Sequence, residues 1–235
     1  MTTASDNAMD RLELAAETEI ITGEKVVNEF ARVTQYLTWP FLWLVFHLFY
    51  KLRIGGREHF REVEDPFVIV ANHVDFYHSF AFRLILGPLT THLPLRFMAV
   101  TRFDWRSLNF LSSIGVIAFV YSLFGVFTVT PGLGMERNLR KAREIIEAGG
   151  NIVIYPEGKV NVSGGVGPFK NGAAALVRQT GVKVVPVSFR LGAHRLWRRA
   201  LEVNVGAPIA VDKSLSVEKI TEVFREKVKG LYGRQ

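Results

Sequence analysis

The sequence predicts an α/β fold, a mixed sheet with flanking helices, preceded by N-terminal membrane-docking helices. Short apolar runs recur along the chain, each bounded by glycine, proline or polar residues, which is typical of buried strands. Segments with apolar residues at helical spacing lie between these runs, and strands that alternate with helices favour a layered α/β domain. A length of 235 residues suits one such domain with an appendage, so we expect two parts, residues 1–50 and residues 51–235.

The first 50 residues are helical in pattern and end in an apolar block. Residues 8–37 carry an apolar stripe with a charged exterior, and residues 37–50 are almost entirely apolar. This block has about 14 residues, fewer than the roughly 20 needed to cross a bilayer. Aromatic and basic side chains lie in it and directly after it: Trp39, Trp43, Tyr50, Lys51 and Arg53. Such residues are typical of the membrane interface, and a core helix is the alternative interpretation.

The later segments alternate as an α/β layer requires. The expected strands are a short one at Leu52–Ile54, then Phe67–Ala71, Arg96–Val100, Val126–Thr130, Asn151–Tyr155, Lys183–Phe189 and Leu201–Val205. The expected helices are Phe80–Leu86, Glu136–Ala148, Ala173–Gln179 and Val217–Tyr232. No residue between Arg106 and Glu136 is charged. We expect an apolar helix followed by the strand there, with a re-entrant or interfacial segment as the alternative.

Composition limits the function classes. A net charge of +7 and a pI near 9.8 suit anionic partners, such as an anionic membrane surface or phosphorylated substrates. The basic residues lack the aromatic platforms of nucleic-acid-binding modules, so no nucleic acid is expected as a partner. The absence of cysteine excludes disulfides, thiolate metal sites and a cysteine nucleophile. The apolar block comes too late for a signal peptide, and we expect a membrane-associated protein on the cytoplasmic face.

A histidine stands where the first clear strand is expected to end. His73 follows Asn72 in a strand-to-helix turn, where open α/β sheets place their chemistry. A neutral imidazole can take a proton from an attacking alcohol, provided that a partner on its other nitrogen fixes the tautomer. Asp75 lies two residues on and His78 five residues on. The residues leave open which of them orients His73.

A second turn follows the strand at residues 151–155. It contains Glu157, Gly158 and Lys159, and Lys170 comes later in a glycine-containing loop. The two lysines could donate to a phosphate, with Gly158 allowing the backbone to approach closely. A turn with solvated charges is the alternative.

A basic cluster lies between the last two expected strands. It consists of Arg190, His194, Arg195, Arg198 and Arg199, with Trp197 among them. The cluster suits an anionic membrane surface or a nucleotide-bearing donor, and a solvated loop is equally consistent with it.

These motifs, in this order, resemble the glycerophospholipid acyltransferases, and more narrowly the 1-acylglycerol-3-phosphate acyltransferase family. The resemblance rests on Asn72-His73, on the long block from Tyr155-Pro156-Glu157-Gly158-Lys159 to Gly172-Ala173-Ala174, and on Val185-Pro186-Val187. It covers about residues 52–205.

The resemblance implies acyl transfer from a thioester, acyl-CoA or acyl carrier protein, to a lysophospholipid hydroxyl. His73 would be the general base, while Glu157, Gly158 and Lys159 would belong to the acceptor site. Neither a cofactor nor a metal is required.

The sequence departs from the family pattern at two positions. His78 stands where the family's His-x4-Asp motif has aspartate, and Lys159-Val160 stands where the family has Thr-Arg. Glu-Gly-Lys-Val-Asn at this position resembles the tafazzin branch, which moves acyl chains between phospholipids and lysophospholipids. Three outcomes stay open: Asp75 orients His73, His78 orients it with slower chemistry, or the protein binds lipid or acyl-CoA without transferring an acyl group.

Overall fold

The computed structural model describes residues 3–100, 121, 124–129, 134–161, 164–195 and 197–233, and it confirms the predicted α/β fold. The strands are β1 (Tyr50–Gly55), β2 (Val68–Ala71), β3 (Leu95–Val100), β4 (Val126–Val129), β5 (Asn151–Ile154), β6 (Val184–Arg195) and β7 (Arg198–Val205). The helices are α1 (Thr3–Phe49), α2 (Ala81–Leu86), α3 (Met135–Glu147), α4 (Gly172–Thr180) and α5 (Val217–Tyr232). Two 3-10 helices cover Arg57–Glu62 and Phe76–Phe80.

The strands form one mixed sheet in the order β1-β7-β6-β2-β5-β3-β4. Only β6 and β7 pair antiparallel among these strands. β2 lies at the centre, between β5 and β6, with Val70 opposite Ile154 and Ala71 opposite Val187. The carboxyl ends of these three parallel strands therefore lie at the same edge of the sheet, which brings the segments after β2 and β5 together.

Helices cover both faces of the central strands. Ile69 and Ala71 pack into a core with α2 and the carboxyl-terminal part of α1, whereas Val68 and Val70 pack against α3, α4 and α5. All four residues of β2 are fully buried. A strand that is covered on both faces needs apolar side chains on both, which explains its uninterrupted apolar run.

The N-terminal region forms one continuous helix, α1, where several helices were expected. Pro40 lies inside it. The inner face of α1 is partly polar, because the side chains of Glu24, Asn28 and Gln35 are buried. Arg96 on β3 donates to Glu24 Oε2 (3.1 Å) and to Asn28 Oδ1 (2.6 Å). These bonds fix the helix to the sheet through polar groups.

The outer face of α1 is apolar. Its exposed row consists of Val26, Phe30, Val33, Leu37, Phe41, Leu44 and Leu48. The spacing of three or four residues keeps these side chains on one side of the helix, opposite the buried polar groups. Within the described ranges, none of the helices combines the length and hydropathy needed to cross a bilayer.

The remaining strand and helix predictions agree with the structure to within a few residues, with one extension. β6 continues past Phe189 to Arg195, because β7 pairs with it along this length. The predicted strand at 126–130 is present as β4, although Thr130 lies outside the described residues. The apolar helix expected between Arg106 and this strand falls mostly on residues 107–120 and 122–123, which also lie outside them.

Candidate active site

The site begins with Asn72, the first residue after β2. Its side chain is fully buried and takes over the pairing with β6 where the backbone ladder stops. Asn72 Nδ2 donates to the Phe189 carbonyl (2.9 Å) and the Gly165 carbonyl (3.2 Å), while Asn72 Oδ1 accepts from the Phe189 N–H (2.7 Å). One side chain therefore fixes the start of the His73 turn to β6 and to the loop after β5.

Glu157 holds the next part of the turn. Its carboxylate is buried and accepts from the Gly167 N–H (3.1 Å) and from the backbone N–H of His73. The His73 carbonyl in turn accepts from the Asn161 N–H (2.7 Å). Burial raises the pKa of Glu157, and the two backbone bonds act in the opposite direction. The structure thus places Glu157, expected at the acceptor site, beneath the backbone of the proposed base.

The His73 ring is stacked on the Tyr155 ring. The centroids are 4.2 Å apart and the ring planes differ by 17°. The Nδ1 atom of His73 is buried and has no hydrogen-bond partner among the described residues. Burial lowers the pKa of His73 to about 4, and the charge of Asp75 acts against this shift. The imidazole is therefore neutral at pH 7, as a general base requires.

Sequence reasoning missed Tyr155 as part of the site. Its hydroxyl lies 2.9 Å from Ser79 Oγ, so the ring under His73 is held from the 3-10 helix at Phe76–Phe80. Burial raises the pKa of the Tyr155 phenol, and the Ser79 bond partly offsets this. The adjacent positions of β2 and β5 were the available signal, since the residues that follow two neighbouring parallel strands lie side by side.

The two candidate orienters lie in different surroundings. Asp75 caps the 3-10 helix, its Oδ1 accepting from the Tyr77 N–H (3.2 Å). His78 is 1% exposed, with its ring 5.9 Å from that of Tyr50 and 6.0 Å from that of Phe189. Neither ring nitrogen of His78 has a hydrogen-bond partner in the described part of the chain.

The electrostatics separate the two candidates further. Burial lowers the pKa of His78 to about 4, so His78 is neutral at pH 7. No hydrogen bond joins it to His73, because the buried Nδ1 of His73 and both nitrogens of His78 are without partners among the described residues. The charge of Asp75 raises the pKa of both imidazoles. The negative charge of Asp75 therefore favours the protonated form of His73.

The turn after β5 brings Lys170 onto Gly158. Gly158 has a φ of 68°, and a Cβ atom there would lie 2.7 Å from Lys170 Nζ. The Lys170 N–H donates to the Pro156 carbonyl (2.8 Å), which fixes the end of the loop beside the turn. Lys159 is exposed. The side chain of Lys170 thus lies beside the turn that carries Lys159, next to the residue that supports His73.

The basic cluster is partly neutralised. Arg190 Nε donates to Glu202 Oε2 (2.8 Å), and Arg53 lies 3.5 Å from the same carboxylate. Arg198 donates to the Tyr50 carbonyl (2.6 Å) and Arg199 to the Gly192 carbonyl (3.3 Å). The side chains of the other two members, His194 and Arg195, lie outside the described part. Within the described ranges, no group of three His, Cys, Asp or Glu side chains could hold a metal ion.

A family model described as Acyltransferase matches residues 51–190, which is more than half of the chain and includes His73, Asp75, His78, Glu157 and Lys170. The chain belongs to the acyltransferase family. The chain is 30% identical over 150 residues to a chloroplastic 1-acyl-sn-glycerol-3-phosphate acyltransferase from Brassica napus, covering 60% of this chain and 37% of the relative. It is 31% identical over 150 residues to 1-acyl-sn-glycerol-3-phosphate acyltransferase beta from Homo sapiens, covering 63% and 50%.

The fold of the chain is also similar to a solved structure. The 1-acyl-sn-glycerophosphate (LPA) acyltransferase PlsC from Thermotoga maritima aligns with a TM-score of 0.54 at 20% identity, covering 95% of this chain and 84% of that one. At this identity the likeness shows the fold alone. The matches span about a third to a half of the length of the curated relatives.

Proposed function

We propose that this acyltransferase transfers a fatty acyl group from a thioester donor to the hydroxyl of 1-acylglycerol-3-phosphate, forming phosphatidic acid. The observation that carries the proposal is the imidazole of His73, held neutral by burial at the carboxyl end of β2 and stacked on Tyr155. The names of the relatives from Brassica napus and Homo sapiens supply the acceptor.

The reaction uses His73 twice. The imidazole takes the proton of the acceptor hydroxyl as its oxygen attacks the thioester carbonyl carbon. The tetrahedral intermediate then collapses, the carbon–sulfur bond breaks, and the imidazolium returns its proton to the thiolate. An ester and a thiol result, and the base is regenerated.

Asp75 is the better candidate to assist His73. A base with a pKa near 4 is fully available at pH 7, but its imidazolium is costly to form in a buried position. Among the described residues, Asp75 is the group whose charge raises this pKa. Neutral His78 offers no charge. We therefore assign to Asp75 the electrostatic stabilisation of the imidazolium.

The acceptor's phosphate would bind at the turn that carries Lys159, where the side chain of Lys170 lies against Gly158. Lysine presents a point charge without the fork of an arginine, so it recognises a phosphate by charge more than by geometry. Recognition by charge alone also suits a second candidate function, that of a tafazzin-like enzyme. Such an enzyme would use a phospholipid in place of the thioester as acyl donor, with a lysophospholipid as acceptor. The Lys159-Val160-Asn161 sequence favours this candidate.

Acyl transfer from a radiolabelled donor decides between these functions. Wild-type protein is assayed with acyl-CoA, acyl carrier protein thioester or labelled phosphatidylcholine as donor, each against a panel of lysophospholipids. We expect labelled phosphatidic acid from a thioester donor and its loss in His73→Ala. Product from phosphatidylcholine alone would establish the transacylase, whereas binding of acyl-CoA or lipid without any product would establish a binding protein.

The orienter is tested in the same assay. We expect Asp75→Asn to lower kcat by about 10-fold or more, and His78→Gln to leave kcat within about threefold of wild type. The opposite order, with His78→Gln the more damaging, would transfer the role to His78.

The exposed row on α1 supports a second part of the proposal, association with a membrane surface. Seven large apolar side chains face outward on a helix whose opposite face is fixed to the domain, and Leu37 is 75% exposed. An apolar row of this kind lies favourably at the boundary between headgroups and acyl chains. We expect cosedimentation with phosphatidylcholine vesicles, abolished by Leu37→Glu and retained in Lys25→Glu, an exposed position outside the row. Equal binding by both variants would contradict this role of the row.

A further inference from the structure

The glycine-containing loop at residues 164–170 lies between the His73 turn and α5. It follows the turn after β5 and leads into α4. Gly164 and Gly165 have positive φ angles of 79° and 83°, which residues with a Cβ rarely adopt. Glycine loses more conformational freedom on folding than other residues, so a loop of this composition needs external bonds to hold one shape.

On the active-site side, three bonds of the loop reach Asn72, Glu157 and the turn after β5. The Gly165 carbonyl accepts from Asn72 Nδ2 (3.2 Å), and the Gly167 N–H donates to Glu157 Oε1 (3.1 Å). The Lys170 N–H donates to the Pro156 carbonyl (2.8 Å). The position of the loop therefore determines where Lys170 lies relative to Gly158 and how Glu157 supports His73.

On the other side, α5 binds the same two glycines. The Gly165 N–H donates to the hydroxyl of Tyr232 (3.0 Å), and Arg225 Nε donates to the Gly167 carbonyl (3.0 Å). Arg225 and Tyr232 are seven residues apart, about two helical turns, so both side chains leave the same side of α5. At Gly165 and at Gly167, one backbone group is bonded to α5 and the other to the site.

We propose that Arg225 and Tyr232 are positioning residues for the acyl acceptor. They act through the loop, which they hold against Asn72 and Glu157, so that Lys170 stays on the turn that is to receive the acceptor's phosphate. This inference rests on the function proposed above, and it adds that the C-terminal helix sets the affinity for the acceptor. Neither residue touches substrate or the reacting atoms in this account.

The kinetic test separates positioning from a loss of folding. Tyr232→Phe removes only the hydroxyl that accepts from the Gly165 N–H, and Arg225→Ala removes the donor to the Gly167 carbonyl. Lys229→Ala is the matched control, because Lys229 is an exposed residue of α5 whose ammonium group lies 3.7 Å from Glu226 of the same helix. We expect each of the two α5 variants, Tyr232→Phe and Arg225→Ala, to raise KM for lysophosphatidate about three- to tenfold. KM for the acyl donor and the midpoint of thermal unfolding should stay unchanged.

Two kinetic outcomes would overturn the proposal. One is an unchanged KM for the acceptor in both α5 variants, Tyr232→Phe and Arg225→Ala. The other is an equal fall in kcat with every substrate, accompanied by a lower midpoint of thermal unfolding. A purely structural role of the two residues would give this result. Arg225→Lys, which keeps a cationic donor on a flexible stem, should recover part of the affinity.

Amide hydrogen exchange tests the same contacts without relying on catalysis. In Tyr232→Phe we expect faster amide exchange at Gly165, which loses its acceptor, and unchanged exchange in β2 and β5. In the control variant Lys229→Ala we expect unchanged exchange at Gly165 as well. Unchanged exchange at Gly165 would remove the contact on which the proposal depends. If wild-type protein transfers no acyl group but the loop shows this exchange pattern, the proposed function fails and the coupling of α5 to the loop still stands.

Discussion

Asn72 joins the sheet to the proposed chemistry, and its replacement by alanine tests that connection. The side chain makes three hydrogen bonds, two to the backbone of Phe189 and one to the Gly165 carbonyl. Phe189 and Asn72 are both fully buried. Asn72→Ala therefore leaves the N–H and the carbonyl of Phe189 without partners in the interior and releases the loop from the start of the His73 turn.

The size of the effect follows from these contacts. A buried backbone group that loses its partner costs about 1–3 kcal/mol, so the two groups of Phe189 together give about 2–6 kcal/mol. Gly165 is partly exposed, and water can replace its bond at little cost. Because a domain of this kind is stable by about 5–15 kcal/mol, Asn72→Ala should still fold. We expect kcat to fall at least about 10-fold, since His73 directly follows the altered residue.

Asn151 provides a control of the same residue type and burial. It is fully buried at the amino end of β5, and its side chain also makes three hydrogen bonds, with Phe67, Asp65 and His92. This end of the sheet is opposite the His73 turn. Asn151→Ala should cost a similar free energy of unfolding and leave kcat of the folded protein unchanged.

Urea unfolding followed by circular dichroism gives the free energies, and acyl transfer at saturating substrate gives kcat. Both are measured in the same detergent, well below the unfolding transition. A loss of less than about 1 kcal/mol in Asn72→Ala would refute the assigned hydrogen bonds. An equal loss of kcat in both variants would show that activity follows stability alone, without a specific role for Asn72.

Three further predictions concern single groups. Because burial lowers the pKa of His73 to about 4, kcat/KM should stay constant from neutral pH down to about pH 5 and fall at lower pH. Asp75→Asn should move this fall to lower pH, since the charge of Asp75 raises the pKa of His73. A pH–rate profile measures both. Tyr155→Phe keeps the ring under His73 and should change kcat less than about threefold, whereas Tyr155→Leu should lower it about 10-fold, with equal rates for both speaking against the stacking. The hydrogen bond to Asp65 (2.8 Å) raises the pKa of His92 in the folded protein. The pair therefore contributes its full stabilisation at pH values below the ordinary histidine pKa, and this stabilisation is lost as the pH rises through the higher pKa of the folded protein. His92→Gln should therefore cost more stability at about pH 5.5 than at about pH 8.5, and a pH-independent cost in urea unfolding would contradict the assignment.

Much of the fold could be predicted because its signals are local. β2 and β5 are buried on both faces, so apolar residues fill every position, and α5 carries its apolar residues at helical spacing with Ser216 as N-cap. The predicted bounds of α5 agree with the structure at both ends. The turn that contains His73 was predictable for the same reason, since a strand end is visible in the sequence.

The continuous helix α1 was predicted less well. Its buried face carries Glu24, Asn28 and Gln35 as well as Ala31, Leu42 and Phe46, and its exposed face carries the apolar row, so hydropathy alone does not distinguish the two faces. Which face of a helix is buried depends on the side chains that the sheet presents to it. Arg96 on β3 supplies the partner for Glu24 and Asn28, and no local pattern connects positions so far apart in the chain.

The α/β class, the order of the elements, the family and the proposed base, His73, could all be predicted from the amino-acid sequence. Each of these depends on short-range periodicity or on a motif within one turn. Three contacts became visible only in the folded protein: Tyr155 lies beneath His73, Glu157 supports the backbone of His73, and Arg225 and Tyr232 hold the loop. These contacts join segments that meet only when the strands pair and α5 packs on the sheet, so their geometry is a property of the assembled layers and not of any one stretch of the chain.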